Sequence, residues 1–552
     1  MKRSFFLYGL FSLLIALTML SGCGGGGGSS SGGGSPDPGD PGDPEPEPSY
    51  ALVTLARDYN QYQYNTWSLQ GYWVNLNLND GVARWVEDAS NERALADPDD
   101  QLRITKSTFV KHSLGASFAT NHQLTLFKDS AYFTALDVLD SETLWRAPLD
   151  ADGAEKAFGD DFLPPEYMTL FAVGGEGLYI SGQDAESVSY TQVSDGETLG
   201  DRLQLEGQTV HIRPNLVATR GDFFYFGVSS NSPRYRQVWR RDLATEGAEP
   251  EQVLDVEADW GLVIGGLTDT AYLKALSDDR VALFDRTYLG ALDQDGQTVL
   301  LHQAEYSSLL QRHVVLDGKL YVTFQDTDNS QQLWVSDGTE AGTRALTTLD
   351  TQIQDLVATE QALFFLAGTG NSYTGYDLQL WQYTPGDEAA VPAATLEAET
   401  GPIDFVSTSL YATGDRVVFL GDDNNLWSYD GTDLTNLSEN HPTLRPAQAE
   451  CSRVAGSWQC QPPEHEPDLC LEEGEGGVPT PCGRFILPRE IDGDDDQLLI
   501  DSVFLHSRSD GTYLLASEVE VTFWLTDGTP EGTRQITDEA GQPFVTEVAI
   551  PE

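Results

Sequence analysis

An aromatic residue recurs along most of this chain, and it limits the fold more than any other feature. Trp145, Tyr190, Trp239, Tyr288, Trp334, Trp381, Trp427 and Trp524 stand 45, 49, 49, 46, 47, 46 and 97 residues apart. Upstream of most of them lies a short apolar run, such as Leu178-Tyr-Ile180, Phe223-Phe-Tyr-Phe226, Leu363-Phe-Phe-Leu366, Val417-Val-Phe-Leu420 or Tyr513-Leu-Leu515. Several are followed by a turn: Ser194-Asp195-Gly196, Asp295-Gly296, Ser336-Asp337-Gly338, Asp430-Gly431 and Thr526-Asp527-Gly528. Asp-Gly favours a tight hairpin because glycine takes the positive φ that the turn demands. One such unit has no partner for its own apolar faces, so it needs copies beside it. A period of about 40–50 residues with several strands per unit describes a β-propeller blade. The expectation is an all-β propeller of eight blades, with seven to nine compatible with the irregular ends.

The clearest copy is Leu316–Leu346. Leu320-Tyr-Val-Thr-Phe324 and Leu333-Trp-Val335 are aromatic and β-branched, as strands should be, and Arg344-Ala-Leu346 begins a return strand. Leu333-Trp-Val-Ser-Asp-Gly-Thr-Glu-Ala-Gly-Thr343, Phe523-Trp-Leu-Thr-Asp-Gly-Thr-Pro-Glu-Gly-Thr533 and the shorter Leu426-Trp-Ser-Tyr-Asp-Gly-Thr432 resemble the bacterial ELWxxDGT repeat of surface and exported proteins. The family's leading Glu is replaced here by Gln332, Thr522 and Asn425. The resemblance implies a propeller and brings no catalytic residue with it. Ala135-Leu-Asp-Val-Leu-Asp-Ser-Glu-Thr-Leu-Trp145 is similar to the tryptophan-docking repeat of eight-bladed quinoprotein propellers and of their non-enzymatic assembly-lipoprotein relative. Asp140-Ser141-Glu142 stands in place of its Thr-Gly-Lys. That likeness implies the alternative reading, a quinone-dependent or other propeller enzyme of the periplasm or cell surface, for which no cofactor-holding residue is identifiable.

Residues 1–22 have the pattern of an export signal, with Lys2 and Arg3 before the apolar Phe5–Leu20. Leu20-Ser-Gly-Cys23 resembles a lipobox, which makes Cys23 the lipid acceptor. Gly24, rather than Asp, after it resembles outer-membrane sorting. Residues 23–48 read as a lipidated cysteine on a tether, glycine-serine first and then alternating Pro with Asp, Gly or Glu. Residues 49–552 would form the propeller. Without residues 1–22 the chain carries 29 basic and 87 acidic residues, a charge of −58. That argues against nucleic acid, heparin-like polymers and anionic lipid as direct partners. The anchored body would be monomeric.

Cys451, Cys460, Cys470 and Cys482 fall in the one double-length interval. They are expected to staple, as disulfides, an insertion in the last blade at about 438–496, because lipidation implies an oxidising compartment. Four cysteines admit three pairings, and spacing does not choose among them. Zinc with His465 is disfavoured by the absence of close Cys pairs. No cofactor is expected except calcium, for which Asp492, Asp494 and Asp496 are the candidate ligands. Gln497 and Val503 break the EF-hand pattern there. The one GxSxG match, Gly28-Ser-Ser-Ser-Gly32, lies in the tether, and no HExxH, P-loop or dinucleotide motif occurs. The Asp residues of the repeat turns are expected to cap their own backbone, and the repeat aromatics to pack between blades. The Phe544–Ile550 strand is expected to close the ring by joining the blade of Trp145. Together these features point to a non-catalytic scaffold that binds a protein or glycan at the cell envelope.

Overall fold

Apolar residues fill both parities of the strands, so each sheet buries both faces. In the strand Lys319–Thr327, Leu320, Val322 and Phe324 pack to one side and Tyr321 to the other. In Leu363–Asn371, Leu363 and Phe365 face back while Phe364 and Leu366 face forward. A sheet that is apolar on both faces has to be sandwiched between neighbours, which a ring of blades provides.

The computed structural model describes residues 49–549 apart from short spans, the longest being 89–107 and 462–481. They form nine radially arranged sheets. Blades 2 to 8 are antiparallel four-stranded meanders over residues 124–156, 166–202, 212–255, 272–303, 313–349, 352–392 and 411–436. Blade 9 runs from 482 to 535, with Ala447–Gln448 paired beside its first strand, and blade 1 is built from residues 50–117. Glu87–Asp88 leaves blade 1 and adds a parallel strand to blade 2.

Nine apolar clusters among the described residues each join two successive blades. One lies between blades 1 and 2, around Trp73, Phe133 and Trp145, and seven more follow in order to blades 8 and 9. The ninth joins blade 9 to blade 1 through Val53, Leu55, Val74, Leu499, Val521 and Phe523. The circuit therefore closes with nine blades, not eight. The eight repeat aromatics mark blades 2 to 9, all on third strands. Blade 1 escaped the count because it lacks the repeat signature, although Trp73 is fully buried and its indole donates to Thr134 O at 3.0 Å.

Closure also departs from expectation. Val545–Ala549 pairs with Glu518–Thr522 of blade 9, the blade of Trp524, and not with the blade of Trp145. The physical reason is an open edge. The third strand of blade 9 runs from Leu514 to Thr526, but Arg534–Gln535 covers only Trp524 and Leu525. The chain turns back at Asp538–Gln542 and fills the free edge. Two complete sheets then close the ring face to face. Ala83 N donates to Thr537 O at 2.8 Å and Thr537 N to Gly81 O at 3.1 Å.

Helix is scarce: the described residues include one α-helix, Val256–Trp260. Cys482 and the residues after it are the first strand of blade 9, so blade structure begins inside the span assigned to the insertion.

Candidate functional site at the channel mouth

The first strands of blades 2 to 5, and again of blades 6 to 9, neighbour one another in turn, so they line the centre of the ring. In a meander, the turns between strands one and two and between strands three and four emerge on the same face. That face carries the motif turns.

The two complete motif turns fold alike. Asp337 Oδ1 accepts from Thr339 N at 2.8 Å and from its hydroxyl at 2.7 Å. The Thr339 hydroxyl accepts from Gly342 N at 2.9 Å, and Thr343 Oγ1 donates back to Thr339 O at 2.6 Å. Asp527, Thr529, Gly532 and Thr533 repeat these bonds at 2.8, 2.6, 3.0 and 2.6 Å. A Cβ on Gly342 would sit 2.0 Å from the Asp337 carboxylate, and one on Gly532 would sit 2.1 Å from that of Asp527. The second glycine of the motif is therefore the room the aspartate occupies. In these two turns the aspartates cap their own backbone, as expected, and all the bonds named stay inside the turn.

The turns also hold the blades together. Arg280 of blade 5 donates to Gly338 O of blade 6 at 3.1 Å. Tyr132 of blade 2 donates to Gly196 O of blade 3 at 3.0 Å, and Arg344 of blade 6 to Glu388 O of blade 7 at 2.8 Å. Arg534 of blade 9 bonds Leu78 O of blade 1, so the closing interface uses the same contact.

Asp492 and Gly493 form the tight turn between the first two strands of blade 9, with φ +87° at Gly493. This hairpin leans over the channel. A Cβ on Gly493 would meet Leu126 of blade 2 at 2.5 Å, while Gly414 N of blade 8 donates to Asp495 O at 3.0 Å. Beneath it lies a cavity of about 390 Å³ bounded by blades 6 to 9, with Glu360, Glu490, Asp492, Asp494, Asp495 and Asp496 on its wall. Burial pushes the Glu490 carboxyl above the ordinary range, and repulsion from Asp495, Asp492 and Asp355 adds to the rise. Glu490 is nonetheless solvent-exposed by area. Both facts fit a side chain that faces channel water inside a wall of protein. Asp494 is also raised, by burial first, against the lowering effect of bonds from Asp496 N and Gln497 N.

The structure does not bring Asp492, Asp494 and Asp496 together as a ligand set. Asp494 Oδ1 is engaged by its own turn, and among the described residues no group of three or more His, Cys, Asp or Glu is placed to hold a metal ion. Of the repeat aromatics, Trp145, Tyr190, Trp239, Tyr288, Trp427 and Trp524 are buried. Trp334 and Trp381 are half-buried: Trp334 packs on His302 at 4.0 Å, and Trp381 stacks on Phe365 at 5.9 Å. The Trp145 indole donates to Ala135 O at 3.3 Å, within the stretch similar to a docking repeat. Cys451 and Cys460 lie on one hairpin, whereas Cys23, Cys470 and His465 fall outside the described residues.

Sequence reading missed two buried carboxylates. Asp501, fully buried, accepts from Nε and Nη2 of Arg489 at 3.1 and 3.2 Å. Arg489 also donates to Thr54 O in blade 1 at 2.6 Å. Asp355 of blade 7 accepts from Leu410 N beside blade 8 at 2.9 Å and lies 3.7 Å from Arg312 of blade 6. The available signal was a charge at an inward position of an otherwise apolar strand.

Neither a family model nor a curated protein matches the chain. Among solved structures it is similar to a Mycobacterium tuberculosis puromycin-hydrolyzing peptidase, at 14% identity and TM-score 0.32 over 79% of this chain. It is also similar to a puromycin hydrolase mutant, at 12% and 0.29 over 69%, and to the N-terminal domain of Nup159, at 13% and 0.26 over 70% of this chain and 80% of that one. The chain spans 58% of the length of each of the two hydrolases. Scores this low transfer no activity, and the propeller assignment rests on sheet order and blade packing.

Proposed function

We propose that this protein is an exported lipoprotein, acylated at Cys23 and held to the outer membrane by residues 23–48. Its propeller would serve as a non-catalytic platform for an envelope protein or glycan. The observation that carries the binding reading is the division of labour among the acidic residues. In the two complete motif turns the aspartates are taken up in capping. In the blade 9 hairpin Asp494 caps its own turn as well, but Glu490, Asp492, Asp495 and Asp496 also line a cavity at the channel mouth, where burial and mutual repulsion raise Glu490. Such a mouth favours a partner that brings positive charge or hydrogen-bond donors. The anchor reading stands on the export segment, the lipobox-like Leu20–Cys23 and the spacer that follows it.

Two measurements test this. Alkyne–fatty-acid labelling should mark the wild-type protein and not Cys23→Ser, and the variant should leave the membrane fraction; a labelled, membrane-bound Cys23→Ser protein would remove the anchor. The propeller, immobilised, should retain a component of the native envelope, with recovery falling at least several-fold for Glu490→Gln/Asp495→Asn. Equal recovery by that variant would move the binding face elsewhere.

A further inference from the structure

Two of the four body cysteines are placed opposite one another. Glu450–Val454 and Ser457–Gln461 form an antiparallel hairpin that pairs with no other strand among the described residues, and its register pairs Cys451 with Cys460. Only two residues separate Val454 from Ser457, so that innermost pair closes the turn and is hydrogen-bonded. Hydrogen-bonded and non-hydrogen-bonded pairs alternate along an antiparallel ladder. Counted outward from Val454/Ser457 in this register, the alternation makes Ser452/Gln459 a hydrogen-bonded pair and Arg453/Trp458 and Cys451/Cys460 non-hydrogen-bonded pairs. Non-hydrogen-bonded pairs bring Cα atoms to about 4.5 Å with the side chains closer, inside the roughly 4.4–6.8 Å that a disulfide spans. Cys482 sits in a different sheet, where its cross-strand partner is His506.

We propose that Cys451 and Cys460 form a cross-strand disulfide that locks this hairpin between blades 8 and 9. The proposal selects among the three pairings that spacing left open, and its oxidation step rests on the export reading. The two thiols give up two protons and two electrons as the S–S bond forms. A protein disulfide of the thiol–disulfide oxidant class accepts them and departs as a dithiol.

The sequence offers a clean test. Full-length protein from the membrane fraction is alkylated without reduction and cut after Glu and then with trypsin. Cleavage after Glu450, Arg453 and Glu464 separates Cys451–Arg453 from Val454–Glu464. The expected product is these two peptides joined, falling apart on reduction. Cys451–Arg453 joined to a peptide carrying Cys470 or Cys482 overturns the pairing, and so does alkylated Cys451. Alkylation of all four cysteines would overturn the oxidising compartment as well; if Cys470 and Cys482 remain linked while Cys451 is alkylated, only the pairing falls. A Cys460→Ser variant provides a second readout. It should expose one new alkylatable thiol, Cys451, and a new thiol at Cys470 or Cys482, or none, refutes the assignment.

Discussion

Replacing Arg489 by Met should damage the ring closure more than any other single exposed-to-buried contact described above. Asp501 is fully buried, and both its oxygens bond Arg489, at 3.1 and 3.2 Å. Methionine keeps much of the aliphatic bulk and removes the charge. A buried carboxylate is then left alone, a loss that costs about 3–5 kcal/mol. The bond from Arg489 to Thr54 O disappears too, and with it a direct polar link from blade 9 to blade 1. The penalty should depend on pH in a defined direction. Burial already raises the Asp501 carboxyl, against the lowering effect of Arg489, and the variant removes that opposition. An acid whose folded pKa lies above its unfolded value of about 3.9 binds its proton more tightly in the folded state. The penalty is therefore complete above the folded pKa and shrinks as pH falls through it toward about 4. Urea unfolding at a series of pH values measures both effects. The double variant Arg489→Met/Asp501→Leu should recover most of the loss, because an apolar pair of similar volume replaces a buried ion pair at little cost. A single variant within 1 kcal/mol of wild type, or a deficit that does not shrink on acidification, would refute the reasoning.

Other outcomes follow from the same geometry. Gly342→Ala and Gly532→Ala should each lose about 1–3 kcal/mol in urea unfolding, since the added methyl collides with the motif aspartate; unchanged midpoints would mean the turn has slack. Trp145→Ala should cost about 3–5 kcal/mol, and Trp334→Ala clearly less, because the first side chain is fully buried and the second half-buried; equal losses would contradict the packing described. Glu490→Gln should raise the melting temperature near pH 7, where a carboxylate with a raised folded pKa costs stability, and converge with wild type below about pH 4; a gain that persists in acid would point to packing instead. His313, held at about pKa 3 by burial and by Lys274 and Arg312, should make the fold lose stability as pH falls below about 6.5, because the unfolded chain then binds a proton the folded one refuses. His313→Phe should blunt that loss, and an unchanged acid limb would exclude His313 from it.

The sequence and the structure agree most closely at the repeat turns. The aspartate cap and the recurring aromatic were legible, because the turn's partners lie within a few residues along the chain. That the second glycine is the room the aspartate fills, and that the aromatic stands on the third strand and not the second, came from the structure. The acidic mouth was legible only as an acidic run. Nothing in Asp492-Gly-Asp-Asp-Asp496 says that Asp492-Gly493 is a turn leaning over a channel toward Leu126, more than 300 residues earlier. The buried pairs Arg489/Asp501 and Arg312/Asp355 were hidden for the same reason: their meaning depends on which face of the strand is inward.

From its residues alone, this chain specified strands, meanders and the demand that each sheet be covered on both sides, because strand parity and turn chemistry act between near neighbours. The number of blades and the way the circle shuts belong to the tertiary structure. They depend on contacts such as Arg489 with Thr54 and Arg534 with Leu78, which join residues 435 and 456 positions apart. A segment with no repeat signature completes the ring because its two apolar faces fit the gap between the first and last repeats. That is a property of shape and burial, and no local pattern encodes it.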